Sequence, residues 1–375
     1  MECDILRKIY FKGYYGFNNV GDDIFCVTAD WICNNLWNNI TPVFIGERLP
    51  LLSSSAKKYQ SPSYVIRKLY EIWVCLVADN IIYFGGSLFH RIDGVTDIKY
   101  HLNKYSFLHS KLGAIGVSVG PFRKTEDHQS IMGLLSKLPF VAVRDYDSYE
   151  LLENEIMNGY LSFSFDPAIL ISDVYPSLRK AKSINGKKKV AVSLCYYERY
   201  VNGDRDCEKT RIAAVLNFLL RLVDEEDIDE IVFFEFHGGA TNGDMELILE
   251  FDSILQKQVK TRIVEYTLDT RAFCEEFNDC DLVIGMRLHS AILAYALEIP
   301  FFLVEYHAKC TSFLDTIGNN YRFSICDIER NIEVCRRIMM ENFIPGIVSP
   351  EYFRMLMLQE LRKIGSFVCG DKVAD

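Results

Sequence analysis

Residues 281–306, DLVIGMRLHSAILAYALEIPFFLVEY, read as a buried strand, a short turn, an apolar helix and a second buried strand. Short, almost continuous apolar runs on either side of a helix suit parallel strands covered on both faces. The turn between the first strand and the helix holds Arg287 and His289. A helix N-terminus carries partial positive charge and unsatisfied N–H groups, so cations placed there are disfavoured unless an anion sits in front of them. One stretch thus predicts both an α/β architecture and an anion site.

The same alternation extends in both directions. Short β-rich runs and longer helical patterns predict six strands in each half of the chain, the last of the second half near Phe323–Cys326. Between the halves, YPSLRKAKSINGKKK (175–189) collects Pro, Ser, Asn, Gly and Lys into an exposed linker. The expected division is a first Rossmann-like domain over 1–177, a second over 188–345, and a segment 346–375 whose SPEYFRMLMLQELRKIG forms an amphipathic helix reaching back to the first domain. A chain of 375 residues suits two domains.

Composition narrows the function. A net charge of −10 argues against nucleic acid as a partner, because phosphate backbones are held mainly by Lys and Arg. An anionic substrate then needs a local basic pocket. The twelve cysteines include no CxxC pair, which suits free thiols better than a disulfide frame or zinc site, and no metal-ligand cluster is evident. No apolar run is long enough to span a bilayer, and MECDILRKIYFKG lacks the pattern of a signal peptide, so a cytoplasmic location is expected.

In open α/β sheets, ligands bind beyond the carboxyl ends of the strands. After the first strand comes GYYGFNNVGDDIF, with Asn18 and Asp22, a loop whose acidic helix start suits hydroxyl groups better than phosphate. FGGSLFHR places Gly86 and Ser87 after the third strand. Arg144 and Asp166 end two further strands, where they either pair with each other or serve a ligand. In the second half, Arg287 and His289 follow one strand while His307 and Lys309 follow the next, so neighbouring parallel strands bring all four toward one crevice. Arg offers a bidentate fork for carboxylate or phosphate, and His exchanges a proton near neutral pH.

GYYGFNNVGDDIF, IIYFGGSLF, GVSVGPF, VAVRDYDSYELL, FSFDPAILI and CDLVIGMRLHSAILAYALEIPFFLVEYHAKCTSFLDTIG resemble, in that order, the motifs of the polysaccharide pyruvyl transferases. The resemblance runs from about Gly13 to Gly318 and is sharpest in GMRLH. It implies a GT-B-like fold of two Rossmann-like domains facing a cleft. The implied reaction moves pyruvate from phosphoenolpyruvate, a co-substrate rather than a cofactor, onto a sugar as a ketal. It carries family function onto Arg287 and His289 of the RLH motif and onto Lys309, and Leu288 and His307 beside them are expected on the same donor side. It also carries function onto Asn18, Arg144 and Asp166, and the acceptor side is expected to combine these with Asp22, Gly86 and Ser87 at the strand ends, Asp166 orienting or deprotonating hydroxyl groups. Two departures stand out: GGS replaces a longer glycine run, and Cys195 stands where many relatives carry arginine, so Arg199 is expected to serve in its place.

The chemistry fits. Phosphoenolpyruvate joins a carboxylate and a phosphate on three carbons, matching an arginine fork, a lysine and a helix N-terminus. A lipid-linked oligosaccharide acceptor would call for peripheral contact with the inner face of the cell membrane. Two other readings share the fold: a GT-B glycosyltransferase using a nucleotide sugar, and a sugar- or anion-binding protein without turnover.

Overall fold

A computed structural model describes residues 6–155, 159–179, 188–239, 243–341 and 347–369. Residues 180–187 of the expected linker lie outside them. The chain divides into two compact units: Met1–Phe17, Asp22–Leu170 and Glu351–Asp375 form one, and Asn18–Gly21 with Ile171–Pro350 form the other.

The first unit is built on seven strands: β1 Arg7–Lys12, β2 Ile40–Gly46, β3 Lys57–Gln60, β4 Asn80–Phe89, β5 Leu112–Val119, β6 Phe140–Val143 and β7 Tyr160–Phe163. Their order is β3-β2-β1-β4-β5-β6-β7, and each pairing is parallel. The central strands are apolar on both faces because helices cover both, and Ile81, Tyr83, Val117 and Val141 are buried with Leu134 of a covering helix. The C-terminal helix Pro350–Cys369 packs here from Glu351 onward. Phe353 stacks on Phe165 at 4.2 Å, Trp37 Nε1 donates to the Leu361 carbonyl at 2.8 Å, and Tyr160 Oη donates to Glu360 at 2.7 Å.

Among the described residues the second unit has five strands: β8 Lys189–Ser193, β9 Glu230–Phe234, β10 Lys260–Val264, β11 Leu282–Gly285 and β12 Phe301–Leu303. They are parallel in the order β10-β9-β8-β11-β12. Both sheets therefore wind outward in two directions from one inner pair, β1 and β4 in the first and β8 and β11 in the second. The crevice at such a switch point is where doubly wound sheets bind ligands.

Two strand expectations need correction. Lys57–Gln60 is a seventh strand that carried no apolar signal, because KKYQ lies at the sheet edge and exposes its lysines. Phe323–Cys326 is not a strand. Phe323 is buried against Phe218 and Phe302, but the Ser324 backbone is satisfied by the Asn331 side chain, which accepts from its N–H at 2.9 Å and donates to its carbonyl at 2.6 Å. With its N–H taken, Ser324 has no donor left for a neighbouring strand. GGS is not a loop after β4 either; the strand runs on to Phe89 with an irregular register between Gly86 and Phe89.

Candidate functional site

In the second unit, the chain leaving β11 passes Met286 and makes Arg287 the N-cap of helix Leu288–Ala296. Arg287 has no capping side-chain bond, whereas Ser290 Oγ donates to its carbonyl at 2.6 Å. Leu288 is buried, 5% exposed. The Arg287 guanidinium is held by Asp244: Nε donates to Oδ1 at 3.0 Å and to Oδ2 at 3.2 Å, and Nη2 also donates to Oδ1. Burial opposes charge on Arg287, yet Asp244 and Cys195 raise its pKa above the ordinary value. It stays a cation.

The sequence reading missed Asp244. It is fully buried at the start of helix Met245–Leu255, and an aspartate there reads as an ordinary cap. It makes no capping bond; besides Arg287 it accepts from the His237 backbone N–H at 3.0 Å. Burial pushes its carboxyl up and Arg287 pulls it back, with the upward effect larger. An acidic residue following β9 in a sheet of this topology was the available signal.

On the other side of the switch point lies Cys195, just past β8. Burial pushes its thiol up to about 12, against the pull of both Arg287 and Lys309. The thiol is therefore neutral near pH 7, and two cations share its surroundings. Lys309 Nζ lies 5.3 Å from the Tyr306 ring centroid. His307 caps helix Ala308–Thr316, its Nδ1 accepting from the Lys309 N–H at 3.1 Å. Burial and then Lys309 lower its pKa, which fits a neutral ring spent on capping. Arg199 does not replace the missing arginine beside Arg287 with a free fork: its Nη1 donates to both Glu246 oxygens at 2.9 Å and its guanidinium lies 3.5 Å from the Tyr196 ring centroid.

His289 lies on the first turn of the same helix, against the segment Asn18–Gly21. A Cβ at Gly21 would fall 2.0 Å from His289 Nδ1, so the imidazole occupies the space a side chain would need. The segment is tied to the chain after β9: Val20 N–H donates to the Phe236 carbonyl at 2.9 Å and Gly238 N–H to that of Asn18 at 2.8 Å. Asn18 adopts a left-handed backbone, φ 57°, and its amide donates to the Gly238 carbonyl at 3.4 Å. Asn18 thus belongs with the second unit, although its place in the sequence is the loop after the first strand of the first. Gly21→Ala is expected to lower stability by about 1–3 kcal/mol through overpacking, although alanine is the better helix former. A melting temperature equal to wild type would show that the imidazole has room to move.

The first unit holds a separate polar cluster. Arg144 Nη1 donates to Asp166 Oδ2 at 2.7 Å, Nε to Ser118 Oγ at 2.7 Å and Nη2 to Ser87 Oγ at 3.0 Å. Ser87, Arg144 and Asp166 therefore converge at the ends of β4, β6 and β7, and the strand-end charges do pair. Phe165, at φ 69° in the left-handed region, turns the chain so that Asp166 reaches Arg144. The other Asp166 oxygen accepts from the Ala168 N–H at 2.9 Å, and the residue is 2% exposed. Each oxygen already accepts one bond and the residue is nearly buried, so in this geometry Asp166 braces Arg144. Gly86, at φ 82°, shapes the strand that carries Ser87, and buried Asp22 lies in the first turn of helix Val20–Asn35.

Two doubly wound parallel sheets place the chain among GT-B-like α/β proteins. A putative UDP-N-acetylglucosamine 2-epimerase from Listeria monocytogenes is similar in structure with a TM-score of 0.57, 11% identity, and coverage of 97% of this chain and 94% of that one. The UDP-GlcNAc 2-epimerase of Methanocaldococcus jannaschii has a TM-score of 0.54 at 12% identity over 93% and 98%. At these identities the likeness concerns the fold. The chain belongs to the polysaccharide pyruvyl transferase family, whose description matches residues 19–308. The amylovoran biosynthesis protein AmsJ of Erwinia amylovora is 22% identical over 263 residues, a match spanning 64% of this chain and 60% of that protein.

Proposed function

We propose that the protein transfers pyruvate from phosphoenolpyruvate to a pair of hydroxyls on a sugar of a polysaccharide or of its lipid-linked precursor, releasing phosphate and leaving a ketal. The observation that carries this reading is the cation set around the switch point of the second unit. Arg287, held by Asp244, shares the surroundings of Cys195 with Lys309, at the N-terminus of the helix that carries His289. Family membership supports pyruvyl transfer, and similarity to the amylovoran biosynthesis protein AmsJ supports a polysaccharide setting.

Arg287 and Lys309 bind the carboxylate and phosphate and take up charge as phosphate departs. His289 delivers a proton to the methylene carbon, which becomes the methyl group. One sugar hydroxyl adds to the central carbon, its proton leaves with phosphate as the C–O bond to phosphate breaks, and a second hydroxyl adds as its proton returns to His289. In the first unit, Asp166 holds Arg144, whose remaining donor capacity and Ser87 serve to orient hydroxyls.

Incubation with phosphoenolpyruvate and a panel of lipid-linked oligosaccharides should yield one phosphate for each pyruvate gained by the acceptor, read by mass analysis. Turnover of a nucleotide sugar with nucleotide release would replace this reading with the glycosyltransferase one. Phosphoenolpyruvate alone should raise the melting temperature, because a ligand that binds the folded state stabilises it by mass action. No shift at millimolar concentration would reject the donor. Arg287→Lys should weaken donor binding about tenfold or more, since a point charge cannot replace a fork already fixed by Asp244. A near-normal Michaelis constant would reject that contact.

A further inference from the structure

In the first unit, helix Tyr64–Val77, YVIRKLYEIWVCLV, turns only part of its apolar surface inward. Val74, Cys75 and Glu71 are buried, whereas Tyr64, Val65, Leu69, Ile72, Trp73 and Leu76 are between 48% and 65% exposed. Val65, Leu69, Ile72 and Leu76 follow i, i+4, i+7, i+11 spacing and form one stripe, with Trp73 beside it. A contiguous exposed stripe of large side chains marks an interaction surface rather than scattered surface residues.

The charge around the stripe says what covers it. Residues 47–79 contain five basic residues (Arg48, Lys57, Lys58, Arg67, Lys68) and three acidic residues (Glu47, Glu71, Asp79), a local net of +2 in a chain of −10, with Glu47 paired to Arg67. Glu71 is buried and paired with Lys12 and Lys68, so the exposed face of this helix carries no negative charge. Lys57 and Lys58 are exposed on edge strand β3, next to Tyr59, whose ring meets Trp73 edge-on at 5.4 Å. An apolar stripe with a flanking tryptophan and a basic border has the composition of a helix that lies in a membrane interface. A two-fold contact between copies would set the lysines of one against those of the other, which is repulsive. Among the described residues no helix is long and apolar enough to cross a membrane.

We propose that helix Tyr64–Val77 and the adjoining edge strand dock the protein onto an anionic lipid bilayer, the stripe entering the interface and Lys57 and Lys58 meeting lipid headgroups. The docking requires no substrate, so its test is independent of the donor assignment. In flotation assays the full chain should rise with vesicles of phosphatidylcholine and phosphatidylglycerol, far less with phosphatidylcholine alone, and less as salt increases. Leu69→Gln/Leu76→Gln should weaken vesicle binding about tenfold or more. Lys57→Gln/Lys58→Gln should weaken it about 25-fold, taking roughly fivefold per cation. Both pairs are exposed, so melting temperatures should match wild type. Three results would overturn the proposal: a wild-type chain that floats with neither vesicle, equal flotation with both, or dimerisation by light scattering that Leu69→Gln/Leu76→Gln abolishes.

Discussion

Asp166→Ala should destabilise the first unit by about 3 kcal/mol or more, toward the lower end of the 3–5 kcal/mol range for breaking a buried ion pair. Burial raises the Asp166 pKa more than Arg144 lowers it, so the pair by itself adds little net stability. Removing one partner is different, because Arg144 is only 7% exposed and would keep its charge with Ser87 and Ser118 as neutral partners. Asp145, whose Oδ2 accepts from Ser118 Oγ at 2.5 Å, lies in the same cluster and tempers the loss. Asp166→Asn should lose a large share of the same stability, since an amide can bond Arg144 but not neutralise it. Urea unfolding measures both variants. A loss under about 1 kcal/mol for the alanine variant would show that Arg144 is solvated or re-paired without Asp166.

His289→Asn should lower turnover on the order of 100-fold or more while leaving phosphoenolpyruvate affinity within a few-fold. Asparagine keeps hydrogen-bonding capacity and fits the space beside Gly21, but it exchanges no proton near neutral pH. One limb of the pH–rate profile should disappear with it. A higher dissociation constant with normal saturated turnover would make His289 an anion contact instead. Unchanged turnover and an unchanged profile would reject the acid–base role outright.

The fold class was legible because strands buried on both faces need continuous apolar sequence, and stretches such as IVFF at 231–234 and LVIG at 282–285 have it. KKYQ escaped because an edge strand is held by one neighbour and needs no apolar side chains. FSIC misled because its apolar residues pack as a strand's would while Asn331 takes the Ser324 backbone bonds. Arg287 and His289 were legible as a local conflict, two basic residues at a helix start.

What the chain determined locally, then, is what neighbours a few residues apart set: the buried strands and the helices, the cationic turn after β11 and the polar residues at strand ends. Tertiary structure alone decided the partners. Asp244 lies 43 positions from Arg287, and its carboxylate could cap its own helix until folding brings the guanidinium within 3.0 Å. Asn18–Gly21 reads as part of the first domain's opening loop, yet its backbone bonds go to Phe236 and Gly238 in the second unit. Asp166 reads either as a partner for Arg144 or as a group for acceptor hydroxyls, and folding pairs it with Arg144. Buried charges and backbone groups must be satisfied wherever the fold provides a partner, and sequence distance does not record where that will be.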